Sequence, residues 1–184
     1  GSFIPGLIRG FQMSDFINTQ RLQLILLNLN QLELALQNIE ALEASLDLVI
    51  MRAWMIDRVH RAIGMKIDKM RKADISQHDW FTYWLIVIKD ENVGAGMLGF
   101  KGFPDENGST EIGYGIDEAY QGKGYMLEAV QALINWAFTH PFCNEITASE
   151  VENPASRRLL EKLGAQLVSV SDHSTSWEIR KVQN

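Results

Sequence analysis

A pair of glycines that leads into a helical pattern constrains this chain most. Gly122 and Gly124 stand just before Tyr125, where apolar residues begin to recur at helical spacing and continue to Thr139. Glycine adopts left-handed backbone angles that other residues avoid, so a ligand can approach the main chain closely at such a turn. The first amides of a helix have no partner within the helix, and the helix dipole adds roughly half a positive charge there. The pattern therefore predicts a cradle for a phosphate, to which Lys123 adds a full positive charge.

Two well-known phosphate cradles do not fit the spacing. The dinucleotide-binding pattern requires a third glycine where Leu127 stands. The P-loop of nucleoside-triphosphate-binding proteins requires a glycine where Asp117 stands, ahead of the Gly122-Lys123 pair. Neither a dinucleotide nor a nucleoside triphosphate is therefore favoured.

Apolar periodicity predicts a mixed α/β chain. Strands are predicted at residues 22–24, 80–88, 93–103, 110–116, 145–151, 166–170 and 176–182. At least two helices are predicted between Asn30 and Lys72, and single helices are predicted after Gly124 and after Asn153. The leucines of residues 29–46 favour packing against a sheet, but a dimerising coiled coil, and with it a homodimer, stays open.

Four segments resemble the GNAT family of N-acetyltransferases, in the order that the family has them. Residues 121–126 resemble the Q/R-x-x-G-x-G/A loop whose backbone amides hold the pyrophosphate of acetyl-CoA, although Met126 stands where the family prefers a small residue. Residues 19–24 resemble the T-x-R-L-x-L first strand of the ribosomal-protein alanine acetyltransferase branch. Residues 110–120 resemble the family's fourth strand and its exit, and residues 153–165 resemble the segment after the fifth strand.

The resemblance implies a fold and a set of contacts. The fold is α/β, with a mixed, mostly antiparallel sheet of about seven strands, about four helices, and strands four and five splayed apart. Acetyl-CoA is the implied cofactor and a primary amine the implied acceptor. The implied acetyl-CoA contacts are Gly115, Ile116, Gln121, Gly122, Lys123, Gly124, Tyr125, Met126, Asn153, Ser156 and Arg157. The resemblance is weakest over residues 26–79. We expect the helices between Asn30 and Lys72, together with the last hairpin, to select the acceptor.

Acetyl transfer needs a neutral amine, and therefore a base that takes its proton. Glu111 is the first candidate because it lies on the strand that leads to the cofactor. Glu150 on the next strand, and Asp172 and His173 in the last hairpin, remain alternatives.

The acid that protonates the leaving thiolate is not assigned by the sequence. Leu160 stands where many family members carry a tyrosine, and Glu152 stands where ribosomal-protein acetylating relatives can use a serine. Tyr114 or water could serve, or the thiolate could leave unassisted, because a thiol with a pKa of about 8.5 is a tolerable leaving group.

Composition limits the class of protein and its partners. From 184 residues, 46% of them hydrophobic, we expect one domain over residues 13–184, preceded by a tag or leader at residues 1–12. A net charge of -6 argues against nucleic acid or an anionic membrane as the main partner. The longest apolar run, residues 80–88, is too short for a bilayer, which needs about 20 residues. Cys143 is the only cysteine and the four histidines lack metal-ligand spacing, so we expect a cytoplasmic protein without a metal site.

Three functional hypotheses follow. The first is an acetyl-CoA-dependent N-acetyltransferase acting on a protein N-terminus or a small amine. The second is a non-catalytic acyl-CoA-binding sensor or interaction module, motivated by the unassigned acid. The third is an interaction protein in which the leucines of residues 29–46 mediate dimerisation and the glycine loop is only a turn.

Overall fold

The computed structural model describes residues 15–182, so the predicted leader at residues 1–12 lies outside the described part. The strands of that part are β1 (Phe16–Asn18), β2 (Leu22–Leu26), β3 (Val49–Ile50), β4 (Trp84–Ile88), β5 (Val93–Phe100), β6 (Ser109–Ile116), β7 (Glu145–Val151), β8 (Gln166–Val170) and β9 (Thr175–Arg180). Its α-helices are α1 (Leu29–Gln37), α2 (Ile39–Leu46), α3 (Asp57–Lys72), α4 (Tyr125–Phe138) and α5 (Pro154–Lys162). Short 3₁₀ helices form at Ile75–Trp80 and Glu118–Tyr120.

All of these strands belong to one mixed sheet. The order along the sheet is β1-β2-β4-β5-β6-β7-β9-β8, with β3 pairing to β5 outside this path. The pairs β3 with β5 and β6 with β7 are parallel, and the others are antiparallel. The predicted fold class, a mixed and mostly antiparallel sheet with helices, is therefore confirmed.

The sheet opens between β6 and β7. The two strands pair only where Ser109–Glu111 lies beside Glu145–Thr147. Beyond that point β7 remains paired with β9, while the β7-facing edge of β6 has no strand partner up to Ile116 within residues 15–182. The predicted splay between the fourth and fifth family strands is confirmed.

Helices cover both faces of the sheet, as strand β4 illustrates. Trp84, Ile86 and Ile88 pack on one face with apolar residues of α4 and α5. Leu85 and Val87 pack on the other face with apolar residues of α1, α2 and α3. Because each large apolar side chain contributes about 1.5–3 kcal/mol when buried, a strand buried on both faces anchors both cores.

The leucine stripe of residues 29–46 forms two helices rather than one. Asn38 ends α1, donating its amide to the Leu34 carbonyl at 2.8 Å, and begins α2 by accepting from the Ala41 amide at 3.2 Å. An asparagine side chain stabilises a helix start in this way, which explains the break. Leu32 and Leu42 are completely buried in the core that faces α3, which favours core packing over a dimer seam.

Several predicted boundaries differ from the structure. The predicted strand at residues 80–88 begins only at Trp84, because Ile75–Trp80 forms a 3₁₀ helix capped by Asp74. Strand β5 ends at Phe100 rather than at residue 103. The described sheet has nine strands rather than the predicted seven or so, since β1 and β3 are too short to show an alternating pattern.

Candidate functional site

The glycine turn lies at the start of α4, as predicted. Gly122 and Gly124 have φ angles of 77° and 81°, in the left-handed region that favours glycine. A Cβ atom on Gly122 would meet nothing within 4 Å, so this side of the turn is open. A Cβ atom on Gly124 would come within 3.3 Å of Arg21 Nη2, so the second glycine is packed more tightly.

The backbone amides of this turn are free to bind a ligand. In the described part of the chain, no oxygen accepts a hydrogen bond from the amides of residues 122–127. They lie at the positive end of the α4 dipole, where unpaired amides favour phosphate groups. The geometry therefore fits the diphosphate of acetyl-CoA.

The free edge of β6 lies beside the turn. Gln121 Nε2 donates to the carbonyl of Ile116 at 3.3 Å. Between them the buried Asp117 accepts from the Ala119 amide at 2.9 Å and closes the short 3₁₀ helix. Gly115 is exposed at the open edge. The predicted strand contacts and the predicted loop contacts therefore adjoin each other.

Helix α5 faces the same opening. Asn153 caps this helix by accepting from the Ala155 amide at 2.7 Å. Burial raises the pKa of the Tyr114 hydroxyl on β6, and the nearby Ser156 of α5 opposes that rise. The Nε atom of Arg157 is buried and has no hydrogen-bond partner among the described residues. An unpaired guanidinium nitrogen and a nearby hydroxyl are groups that a CoA chain could satisfy.

Glu111 lies just before the splay. It is still paired with Thr147 of β7, and its carboxylate accepts from Lys101 Nζ at 2.5 Å. Its side chain is 24% exposed, so it is neither a core residue nor a fully solvated one. On β6, Glu111 and Gly115 share one face because side chains alternate along a strand.

The alternative bases are farther out on the surface. Glu150 is exposed and has a φ angle of 54°, at the point where the β7 register shifts. Asp172 and His173 are exposed in the turn between β8 and β9. No hydrogen bond or ion pair within residues 15–182 joins these three residues to Glu111.

A cavity of about 750 Å³ opens between the start of α3 and the end of β6. Its walls include Trp54, Arg58, Tyr83, Met97, Tyr114, Gly115 and Asp117. The first four and Asp117 were not predicted as site residues, because they come from separate elements and form no motif in the sequence. The cavity meets the exposed Gly115 at the free edge of β6.

Lys66 is a second feature that the sequence did not reveal. It is 5% exposed, donates to the carbonyl of Phe100, and lies 4.9 Å from the centre of the Tyr83 ring. Burial, and to a smaller extent the charges of Lys69 and Lys101, lower the pKa of Lys66 to about 7 against an opposing effect of Glu111. A lysine within a helix is normally exposed to solvent, so the sequence did not indicate that Lys66 is buried.

Within residues 15–182, no three His, Cys, Asp or Glu side chains are grouped closely enough to hold a metal ion. No helix in that range is long and apolar enough to cross a membrane.

Comparison with known proteins identifies the family. The GNAT acetyltransferase domain matches residues 34–166. An uncharacterised N-acetyltransferase of Bacillus subtilis strain 168, YjdG, is 44% identical over 98 residues, which are 53% of this chain and 58% of YjdG. The ribosomal-protein-serine acetyltransferase of Escherichia coli K12 is 30% identical over 91 residues, 49% of this chain and 50% of that protein. The chain thus spans about half the length of the curated relatives it matches.

A solved structure agrees at the level of the fold. The microcin C7 self-immunity acetyltransferase MccE, in complex with acetyl-CoA and AMP, superposes with a TM-score of 0.58 at 15% identity. The superposition covers 89% of this chain and 94% of MccE. The family resemblance is confirmed by the domain match, which includes the segments 110–120, 121–126 and 153–165. This protein belongs to the GNAT acetyltransferase family.

Proposed function

We propose that the protein is an acetyl-CoA-dependent N-acetyltransferase that acetylates a primary amine, either at a protein N-terminus or on a small molecule. The observation that carries this proposal is the row of free amides at residues 122–127 beside the unpaired edge of β6. Membership of the GNAT family and the acetyl-CoA bound to MccE support the same ligand. We expect the reaction to occur in the cytoplasm, where the buried Cys143 would stay reduced.

Acetyl-CoA would supply the activated acetyl group, and the chain would bind and orient it. The amides of residues 122–127 would hold the diphosphate, with Lys123 adding charge. The open edge of β6 at Gly115 and Ile116 would hydrogen-bond the pantetheine as an added strand does. Asn153, Ser156 and Arg157 would contact the cofactor from α5, a role supported by the unpaired Arg157 Nε.

The acceptor amine would enter through the cavity between α3 and β6. The walls combine apolar rings with the carboxylates of Asp117 and Glu118, a mixture that suits a cationic amine. The amine must lose a proton before it attacks, and Glu111 is the proposed base, acting directly or through water. Its support is its place on the β6 face shared with Gly115, which lines the cavity.

Tyr114 is the proposed acid. It lines the cavity, it is half-buried, and burial raises the pKa of its hydroxyl, so the proton is retained at neutral pH. In that state it can donate to the thiolate as CoA leaves. Ser156 of α5 lies near enough to this hydroxyl to oppose the rise in its pKa.

The test measures free CoA thiol released from acetyl-CoA with a panel of peptides and small amines. Turnover with any acceptor, abolished by blocking its amine, is the expected result. Calorimetry with CoA runs in parallel to separate the alternatives. Binding without turnover over the whole panel would favour the non-catalytic module, and the absence of binding would overturn the proposal.

A further inference from the structure

An ion pair joins the turn between β1 and β2 to the first turns of α4. Arg21 Nε donates to Glu128 Oε1 at 2.7 Å, and the Arg21 amide donates to Oε2 at 2.8 Å. Thr19 Oγ1 donates to the same Oε2 at 2.5 Å. Three donors from a remote turn therefore fix one carboxylate on the helix that begins at the phosphate cradle.

The same arginine also binds the cradle directly. Arg21 Nη1 donates to the carbonyl of Lys123 at 2.9 Å, and this carbonyl lies between the two left-handed glycines. The guanidinium stacks over the Tyr125 ring at 4.2 Å from its centre. With that carbonyl held by Arg21, the neighbouring amides are left free for a ligand.

The Glu128 carboxylate lies close to the anion site and would oppose it. Burial raises the pKa of Glu128, but hydrogen bonds from Thr19 and Arg21 outweigh that effect and leave the pKa below its usual value. The group is therefore ionised at neutral pH, and its side chain is only 19% exposed. An uncompensated carboxylate at this position would repel a diphosphate held by the α4 amides.

We propose that Arg21 is a positioning residue for the phosphate cradle: it fixes the Lys123 carbonyl and cancels the charge of Glu128, so that the free amides can bind a diphosphate. The inference rests on the proposed function, because the diphosphate is that of CoA. It adds a role for Arg21, which is 107 positions away from Glu128 in the sequence.

The experiment compares wild type, Arg21→Met, Glu128→Gln and the double variant. CoA affinity is measured by calorimetry, and KM values for acetyl-CoA and the amine are measured separately. Because a charge-assisted contact is lost and a carboxylate is exposed, Arg21→Met is expected to weaken CoA binding about tenfold. The KM for the amine is expected to change by less than about twofold, since the cavity walls are untouched.

The double variant distinguishes charge compensation from general loosening of the loop. Adding Glu128→Gln to Arg21→Met removes the repelling charge, so about a threefold recovery of CoA affinity is expected. Glu128→Gln alone leaves the Arg21 charge uncompensated and is expected to bind CoA about twofold to threefold more tightly than wild type at low salt. Weaker binding by this variant would contradict the charge argument even if Arg21→Met fails to fold. Arg71→Met, which removes an ion pair of 3.6 Å between α3 and Glu33 of α1, is the matched control and should bind CoA normally.

Two results would overturn the inference and leave the proposed function standing. One is wild-type CoA affinity in Arg21→Met. The other is a double variant that binds CoA no better than Arg21→Met. Failure of the wild-type protein to bind CoA would overturn both the proposed function and the inference.

Discussion

The two sides of the site differ in how they would hold their ligands. The cradle side, formed by the turn at residues 121–127 and the edge of β6, offers backbone amides and carbonyls. The cavity side, formed largely by the start of α3, offers side chains such as Trp54, Arg58 and Tyr83. Recognition by backbone requires special dihedral angles and leaves glycines in the sequence. Recognition by side chains leaves no such signature, which is why the cofactor was predictable and the acceptor was not.

Each side also contains an arginine that binds both a glutamate and the backbone. Arg21 pairs with Glu128 and holds the Lys123 carbonyl on the cradle side. Arg52 pairs with Glu43 at 2.8 Å and holds the Ile50 carbonyl at 2.7 Å on the cavity side. The second pair spans nine residues and fixes a local turn, whereas the first joins distant parts of the chain. Only the first pair lies where an anion would bind, so only the first is expected to affect the acetyl-CoA affinity.

The largest effect is expected for the proposed base. Replacing Glu111 with Gln keeps the shape of the side chain but removes proton acceptance, so kcat should fall about 100-fold while CoA affinity is unchanged. Steady-state kinetics and calorimetry on the same preparation provide the comparison. Glu150→Gln is the matched variant on the competing strand. A larger loss of kcat in Glu150→Gln than in Glu111→Gln would exclude Glu111 as the base and assign that role to Glu150.

The next largest effect is expected at the cradle. Gly124→Val forces a β-branched residue into a φ angle of 81° and towards Arg21 Nη2, so the loop must change shape. Strain of this kind amounts to about 1–3 kcal/mol, so we expect CoA binding to weaken about 30-fold. The Tm is expected to fall by only a few degrees, on the order of what 1 kcal/mol produces.

Gly64→Val is the control for this change, since a Cβ atom on Gly64 in α3 meets nothing within 4 Å. The control should bind CoA normally. Affinity of Gly124→Val within twofold of the wild type would mean that the amides of the turn do not hold the phosphates, and the distinction between the two sides would then fail.

The sequence predicted features that depend on neighbouring residues and missed contacts between residues far apart in the chain. The glycine turn, the exit of β6 and the helix start after Asn153 are set by neighbouring residues, and their geometry agrees with the prediction. The Arg21–Glu128 pair depends on strands and a helix far apart in the chain, so neither residue could be paired with the other in advance. The burial of Lys66 depends on the packing of α3 against Phe100, which periodicity alone does not determine.

Lys66 allows a test of packing on the cavity side. The folded pKa of about 7 lies below the usual value of 10.5, so between these pH values the unfolded chain binds more protons than the folded one. Stability should therefore rise with pH across that interval, by on the order of 1 kcal/mol per pH unit. Lys66→Met removes this contribution, so the difference between the two unfolding curves, measured in urea from pH 6 to 10, isolates it. Parallel pH dependence in the two proteins would show that the lysine is charged and solvated.

The smallest effect concerns the charge at the cavity wall. Arg58 is exposed and lines the cavity with Asp117 and Glu118, so replacing it with Met leaves the wall more negative. A cationic amine should then bind more tightly, and its KM should fall about twofold to threefold at low salt, while the KM for acetyl-CoA stays constant. High salt should remove the difference, because exposed charges are screened. An increase in the amine KM would show instead that the arginine attracts an acidic part of the acceptor, which would identify an acidic peptide rather than a simple amine as the substrate.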